Sequence, residues 1–375
     1  MAEDALSVHK KLKGKIEIRS KAQLSNKKDL SLFYTPGVAE VSEAIAKDEN
    51  LAYDYTMKGN ACAIATDGSA VLGLGNIGPV ASLPVMEGKA MLFKEFAGID
   101  AVPLLFSQGP DLAEHIRSAS HLFGAINLED IAAPQCFEVE EALQDLGIPV
   151  MHDDQWGTAI VVCAAALNAF KATGKDISKT RIVINGAGAA GLAIQSMLSA
   201  LGPEDIVMCD SKGIIYEGRE GLNPYKEKAA AVTNKMKLKG GLEEAIKGSG
   251  MFIGVSKGGI LKQDMVRSME PEPIIFALAN PVPEIMPDLA KAAGAAVVGT
   301  GRSDFCNQIN NVLAFPGIFR GALDAKAERI TVKMKTAAAY ALAGCIDVPT
   351  REMIIPSPFD KSVVKKVSGA VKHAV

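Results

Sequence analysis

Aromatic side chains are scarce: they make up 5% of the 375 residues, with a single Trp, and the net charge is −3. No segment gathers Lys and Arg into a patch, so neither a stacking platform nor a basic groove for nucleic acid is expected. The six cysteines, Cys62, Cys136, Cys163, Cys209, Cys306 and Cys345, lie far apart with no CxxC pair. That spacing speaks against a zinc site or disulfide framework and predicts the reduced thiols of a cytoplasmic protein. No uninterrupted apolar run approaches the roughly 18 residues of a membrane span. The N-terminal MAEDALSVHKKLKGK lacks the apolar centre of a secretory leader. Internal repeats and low-complexity tracts are absent too. What is present is 48% hydrophobic content, enough for a sizeable core, in a chain long enough for two domains and a terminal extension.

One stretch carries a nucleotide signal. RIVINGAGAAG, Arg181 to Gly191, is a short β-branched strand running into Gly186-x-Gly188-x-x-Gly191. A helical segment follows, then the strand DIVMCD ending at Asp210. Strand, glycine turn, helix, strand and a later acid form the context that gives GxGxxG its meaning. Gly186 allows the tight turn, Gly188 the approach of a pyrophosphate, and Gly191 close packing of helix on strand. The helix start, at Ala189 and Ala190, offers amide donors to phosphate, and Asp210 is placed to accept from the adenosine ribose. Further short apolar runs at 251–256, 273–280 and 295–301 alternate with helical stretches, which predicts a doubly wound parallel sheet. The spacing divides the chain into an α/β domain over 1–156, a Rossmann-like dinucleotide domain over 157–340, and an extension over 341–375 that packs back on the first domain. GTAIVVCAAALNAFKATG, from Gly157 to Gly174, predicts a long buried helix, and Ala63 to Pro79 predicts a hairpin with a DGS turn.

Two apolar segments ahead of that fold each end in paired acids. FGAINLEDIAAP carries Glu129 and Asp130; IPVMHDDQWGTA carries Asp153 and Asp154. Carboxylates closing apolar strands are costly to bury unless something positive meets them, and an all-oxygen set suits Mg2+ or Mn2+. In LPVMEGKAMLFKEFAG, a helix places Lys89 with Leu92, Phe93 and Phe96, opposite Glu87, Lys94 and Glu95. A lysine forced inward is desolvated, which lowers its pKa and suits it to general-base work. In LFYTPGVAEV, Thr35 reads as an N-cap and Pro36 as the first helical residue, leaving Tyr34 at the helix mouth, where a phenol can deliver a proton. Asn280, Asn310 and Asn311 stand in polar turns after the later strands and suit a small carboxylate or hydroxyl substrate.

Together these segments resemble the malic enzyme family over essentially the whole chain. The motifs that carry the likeness are Tyr34-Thr-Pro-Gly, DGS with LGLGNIGP and PVMEGKA, INLEDI, HDDQxGTA, GAGAAG, LANPVPE, GRSD and NQINN with FPGIFRGA. The chain looks like the short microbial form, without an appended acyltransferase-like domain. The resemblance implies an N-terminal malic-type domain and a metal-dependent oxidative decarboxylation of L-malate to pyruvate and CO2 that reduces NAD or NADP. It implies Lys89 as base, Tyr34 as acid, and Asp153 as the support of the lysine. Its metal ligands map onto Glu129, Asp130 and Asp154. Its cofactor contacts map onto Thr158, Gly186, Gly188, Ala189, Ala190, Gly191, Asp210 and Asn280, and its substrate contacts onto Asn280, Asn310 and Asn311. A homodimer follows from the same likeness. Two departures stand out. Ala70 occupies a position where many members carry a carboxylate-gripping arginine, so Arg302 or a partner subunit's arginine is called on instead. Trp156 replaces a second glutamine beside the metal acids. Asp210 favours a ribose 2′-hydroxyl while Ser211 and Lys212 accommodate a 2′-phosphate, so NAD and NADP both stay open. So do a malolactic enzyme, an oxaloacetate decarboxylase, an amino-acid or shikimate-type dehydrogenase, and a nucleotide-sensing binding protein.

Overall fold

Each paired-acid segment ends a strand of one parallel sheet, and the glycine turn ends a strand of a second. The computed structural model describes residues 4–375; residues 1–3 of the polar N-terminus lie outside the described residues. Four helices come first, α1 (Ala5–Leu12), α2 (Lys27–Phe33), α3 (Val38–Lys47) and α4 (Ala52–Tyr55). The first sheet has strands β1 (Ala61–Thr66), β2 (Asp100–Leu105), β3 (Ala125–Leu128) and β4 (Val150–His152) in the order β2-β1-β3-β4, all parallel. Its connections are α5 (Gly78–Ala97), α6 (Leu112–Ala119) and α7 (Gln135–Ala142).

The second sheet holds β5 (Arg181–Asn185), β6 (Asp205–Asp210), β7 (Gly213–Ile214), β8 (Met251–Gly254), β9 (Ile274–Ala277) and β10 (Val297–Thr300). Their order is β10-β9-β8-β5-β6-β7, parallel but for the short edge strand β7. The chain winds out from β5 to β6 and then returns to β8 on the other side. That reversal opens a crevice at the carboxyl ends of β5 and β8, the place where such sheets take ligands. The remaining helices are α8 (Asp153–Thr173), α9 (Ala189–Ser199), α10 (Pro224–Ala230), α11 (Leu242–Ile246), α12 (Gln263–Arg267), α13 (Pro287–Ala292), α14 (Phe315–Asp324), α15 (Val332–Ala343) and α16 (Lys361–His373).

The long apolar helix exists, but it begins at Asp153, so the second acid pair forms its first turn. It ends as expected at Gly174, which adopts the left-handed conformation. By length and composition α8 could cross a membrane; most of it is buried inside the core instead. It packs on α9 and α15, and one apolar cluster runs from Cys62 and Ile64 of β1 through α5 and α8 to β5, α9 and α14. The final helix α16 packs chiefly on α14 and α15 and also touches α5. Side chains on Gly317 and Gly321 would strike Val367 and Val371, and their absence lets α14 and α16 close together.

The hairpin over 63–79 does not form. β1 is buried along its whole length and pairs in parallel with β2 and β3, leaving no edge for a returning strand. The DGS turn folds on itself: Asp67 accepts from the backbone and hydroxyl of Ser69, and Gly68 O accepts from Ile77 and Gly78. Gly73, Gly75 and Gly78 all have positive φ, a conformation that breaks an extended run.

Where α15 meets α8, Lys335 is buried with its ammonium 3.3 Å from the centroid of Trp156. Glu140 accepts from Trp156 Nε1 at 3.0 Å and from His152 N at 3.1 Å. Burial pulls Lys335 down to about 8, against the smaller opposing pull of Glu140. An unfolded chain therefore binds more protons than the folded one between about 8 and the ordinary lysine range, so stability rises with pH there. Urea unfolding of the parent and Lys335→Met between pH 7 and 10.5 should show the parent gaining roughly 3 kcal/mol on the variant, the worth of such a shift. Parallel stability curves would mean that Lys335 is not desolvated.

Candidate active site

Adjacent parallel strands deliver both acid pairs to one place. Glu129 and Asp130 follow β3 directly, and Asp153 and Asp154 follow β4, so four carboxyl groups converge at the carboxyl end of the first sheet. Lys89 comes in from α5 on the face expected for it and is buried. Its Nζ lies 2.5 Å from Asp153 Oδ2 and 2.8 Å from Glu129 Oε1, and 4.2 Å from the centroid of the Phe315 ring. Asn127 donates to Glu129 at 2.8 Å, and Asn311 donates to Asp153 at 2.6 Å. Gly157 makes room for that contact: a Cβ there would meet both Asp153 and the Asn311 side chain.

Oxygens of Glu129, Asp130 and Asp154 lie within 4.8 Å of one another. Asp130 holds a positive φ of 53°, which Asp tolerates better than most residues, and its backbone N–H donates to Asp154 at 2.9 Å. Its buried Oδ2 has no partner. Burial, with the charges of Glu129 and Asp154 behind it, pushes the Asp130 carboxyl up to about 9. Burial likewise lifts Asp153 to about 8, although Lys89 opposes it. Three converging carboxyl groups, one with an orphaned oxygen, offer the all-oxygen surroundings that hard divalent cations prefer.

The lysine departs from expectation. Burial alone lowers an ammonium, but Asp153, Glu129 and Asp154 together outweigh it and hold Lys89 above its ordinary range. Tyr34 differs too. It closes α2 instead of preceding a helix, its N–H bonded to Leu30 O at 3.0 Å. The turn runs on through Val38 N to Tyr34 O, and α3 starts from Gly37 with no side-chain cap, so Thr35 caps nothing. Tyr34 is 67% exposed. Among the described residues no hydrogen bond joins its hydroxyl to Lys89 or to the acids.

A cavity of about 930 Å³ opens over the second sheet, lined by Gly186, Gly188, Asp210, Lys226 and Ser256 among others. That size suits a cofactor. Asn185 Nδ2 donates to Ser256 Oγ at 2.7 Å across the crevice between β5 and β8. Asp210 ends β6 as expected, but it is not a free acceptor. Arg219 holds it with two bonds of 2.5 and 3.0 Å, and Lys226 reaches it at 2.8 Å. These partners outweigh burial and keep its carboxyl well below the usual range. The sequence reading missed both cations, since nothing in their spacing ties them to Asp210.

The other candidates scatter. Thr158 is half-buried two residues beyond Trp156 on α8. Asn280 lies beside Gly301, and the Gly73 turn approaches it from the first sheet. Asn310 does not face the acids through its carbonyl, which accepts from Val312 N at 3.0 Å. Arg302 is engaged by Asp304 at 2.7 Å and by Pro281 O at 3.0 Å, so it is not a free substitute for an arginine at Ala70. Position 70 itself touches the site, since Ala70 N donates to Asp130 O at 2.9 Å.

Sequence comparison resolves the family. Residues 13–116 match the malic enzyme N-terminal domain and residues 156–375 the malic enzyme NAD binding domain. The chain belongs to the malic enzyme family. It is 55% identical to the bifunctional malic/malolactic enzyme of Bacillus subtilis, over 100% of this chain and 93% of that one. It is 50% identical to the NAD-dependent malic enzyme of Geobacillus stearothermophilus, over 96% of this chain and 76% of that one. The crystal structure of the NAD-dependent malic enzyme from Thermotoga maritima superposes with a TM-score of 0.97 at 49% identity, over 100% of both chains. The activity is accordingly that of an NAD(P)-dependent, decarboxylating malic enzyme, and neither a sensing protein nor an amino-acid dehydrogenase.

The glycines separate ligand binding from folding. A Cβ on Gly191 would collide with the Gly186 carbonyl, whereas one on Gly188 meets nothing within 4 Å. Gly191→Ala should cost about 1–3 kcal/mol in urea unfolding, the usual range for overpacking. Gly188→Val should unfold like the parent yet bind NAD(H) far more weakly by calorimetry. A Gly188→Val chain with normal dinucleotide affinity would remove the pyrophosphate from this turn.

Proposed function

We propose that Glu129, Asp130 and Asp154 hold one Mg2+ or Mn2+, and that malate is oxidised and decarboxylated between those acids and the nicotinamide. The observation that carries this reading is the orphaned Asp130 oxygen inside three converging carboxyl groups. When bound, such a cation polarises the C2 oxygen of malate and adds positive charge that offsets the acids now holding Lys89 protonated.

The chain's own residues do the rest. Lys89, positioned by Asp153 and Glu129, takes the C2 hydroxyl proton as hydride leaves C2 for the nicotinamide. Asn311 keeps Asp153 turned toward the lysine. Once CO2 has left, Tyr34 donates a proton to C3 of enolpyruvate, giving pyruvate. Arg219 and Lys226 cancel the charge of Asp210, so a 2′-phosphate meets little net repulsion there and both NAD and NADP are used. Exclusive use of one dinucleotide in kcat/KM comparisons would overturn that last point. A malolactic outcome is the second reading, favoured by the name of the Bacillus subtilis relative. It requires that pyruvate stay beside the reduced cofactor and take the hydride back, so lactate among the products decides it.

Two variants separate the proton transfers. Lys89→Ala should lose malate oxidation by on the order of a hundredfold or more, the usual scale for a general base, while decarboxylation of added oxaloacetate falls less. Tyr34→Phe should slow pyruvate formation from both substrates. Normal malate oxidation by Lys89→Ala, or wild-type turnover of oxaloacetate by Tyr34→Phe, would refute the roles.

A further inference from the structure

One carboxylate outside the acid cluster grips the helix that carries half of it. Glu140 lies on α7, and both of its oxygens are engaged: Oε1 accepts from His152 N at 3.1 Å and Oε2 from Trp156 Nε1 at 3.0 Å. Those two donors flank Asp153 and Asp154, one just before α8 and one in its first turn. His152, at the start of α8, makes no side-chain capping bond, and a carboxylate near a helix start is favoured by the helix dipole. A turn held at two points can neither rotate about its axis nor slide along it, so the direction of Asp154 is fixed with it. On its far side Asp154 accepts from Asp130 N at 2.9 Å, and the aim of that turn therefore decides how the two acids meet. Trp156 is held from a third element as well. The buried Lys335 of α15 sets its ammonium 3.3 Å from the ring centroid, and Glu140 is the acid whose charge reaches it. A cation over an indole draws on its π-density and strengthens the N–H as a donor to Glu140.

We propose that Glu140 is a positioning residue for the cation: backed by Lys335 across the Trp156 ring, it sets the first turn of α8 so that Asp154 meets Glu129 and Asp130 at the spacing one divalent ion needs. Mg2+ in particular tolerates little error in the direction of its ligands, so a group that orients one ligand governs affinity without touching the ion. Glu140 acts only through the His152 backbone and the indole. The same bond makes Trp156, the only tryptophan of the chain, a reporter of the site. A cation that draws Asp154 toward itself moves the turn on which the indole bond depends, and the fluorescence responds. The inference rests on the cation site proposed above.

The test uses the whole chain, stripped of metal with a chelator. Mn2+ affinity is read from the electron paramagnetic resonance of the free ion, and Trp156 emission is followed during titration with diamagnetic Mg2+. Glu140→Gln keeps one acceptor and cannot serve both donors. It should weaken Mn2+ binding by about tenfold or more, the usual scale for a group that orients a metal ligand. Its emission should answer Mg2+ only at correspondingly higher concentration, while kcat at saturating Mn2+ stays close to the parent's. Should Glu140→Gln fail to fold, Trp156→Phe keeps a ring beside Lys335, deletes the Nε1 donor, and should weaken Mn2+ binding in the same direction. Glu140→Gln with the parent's Mn2+ affinity overturns the positioning role, even if its stability falls, because a purely structural contact would do just that. Asp154→Asn separates the two failures: if it loses Mn2+ where Glu140→Gln does not, the cation site stands without Glu140, and if it too binds normally, the cation site falls. Parent emission that Mg2+ leaves unmoved contradicts the link from the acids to the indole.

Discussion

Four carboxyl groups and one ammonium are packed together at the carboxyl end of the first sheet, which is arranged around that imbalance. Asp153 is fully buried, Glu129 and Asp130 nearly so, and Lys89 is the only cation among them. One lysine cannot balance four acids where desolvation is severe. The cluster answers at Asp130, where burial and the charges of Glu129 and Asp154 lift the carboxyl far above the usual carboxylate range. The parallel pairing of β3 with β4 is what makes the crowding unavoidable, because both strands end in acids at the same level.

Hydride transfer needs this cluster beside the dinucleotide, and α8 provides the link. Its first turn carries Asp153 and Asp154, its body is buried, and it packs on α9, the helix that opens the glycine turn. A single rigid helix thus sets the separation between the acids and the crevice of the second sheet. The apolar cluster shared by β1, α5, α8 and β5 keeps the two sheets from moving independently.

Much of this was legible in the residues. The glycine fingerprint declared the second sheet, since each glycine answers a local steric demand, and paired acids after apolar runs declared the cluster. Helical periodicity placed Lys89 inward. What stayed hidden depended on partners distant in sequence. The DGS segment read as a hairpin because alternation cannot tell that β1 already has a neighbour on each side. The charge state of Lys89 turned on acids 40 and 64 positions away, whose fields exceed its own desolvation. Asp210 looked free because its partners, Arg219 and Lys226, come from the loop after β7 and from α10. Thr35 looked like a cap because turns between two short helices carry the same residue types as helix starts.

The unbalanced acids are the centre of this account, and metal-linked stability measures them most directly. Asp130 is raised to about 9, so without metal its burial costs stability at every pH above its unfolded value, and Asn at that position pays no such penalty. Thermal unfolding at pH 7 in the presence of a chelator should therefore find Asp130→Asn more stable than the parent. Added Mn2+ should raise the Tm of the parent, as any ligand of the native state does, and leave the variant nearly unmoved. A variant less stable than the parent without metal, or one stabilised by Mn2+ as strongly as the parent, would contradict a cation site built on Asp130.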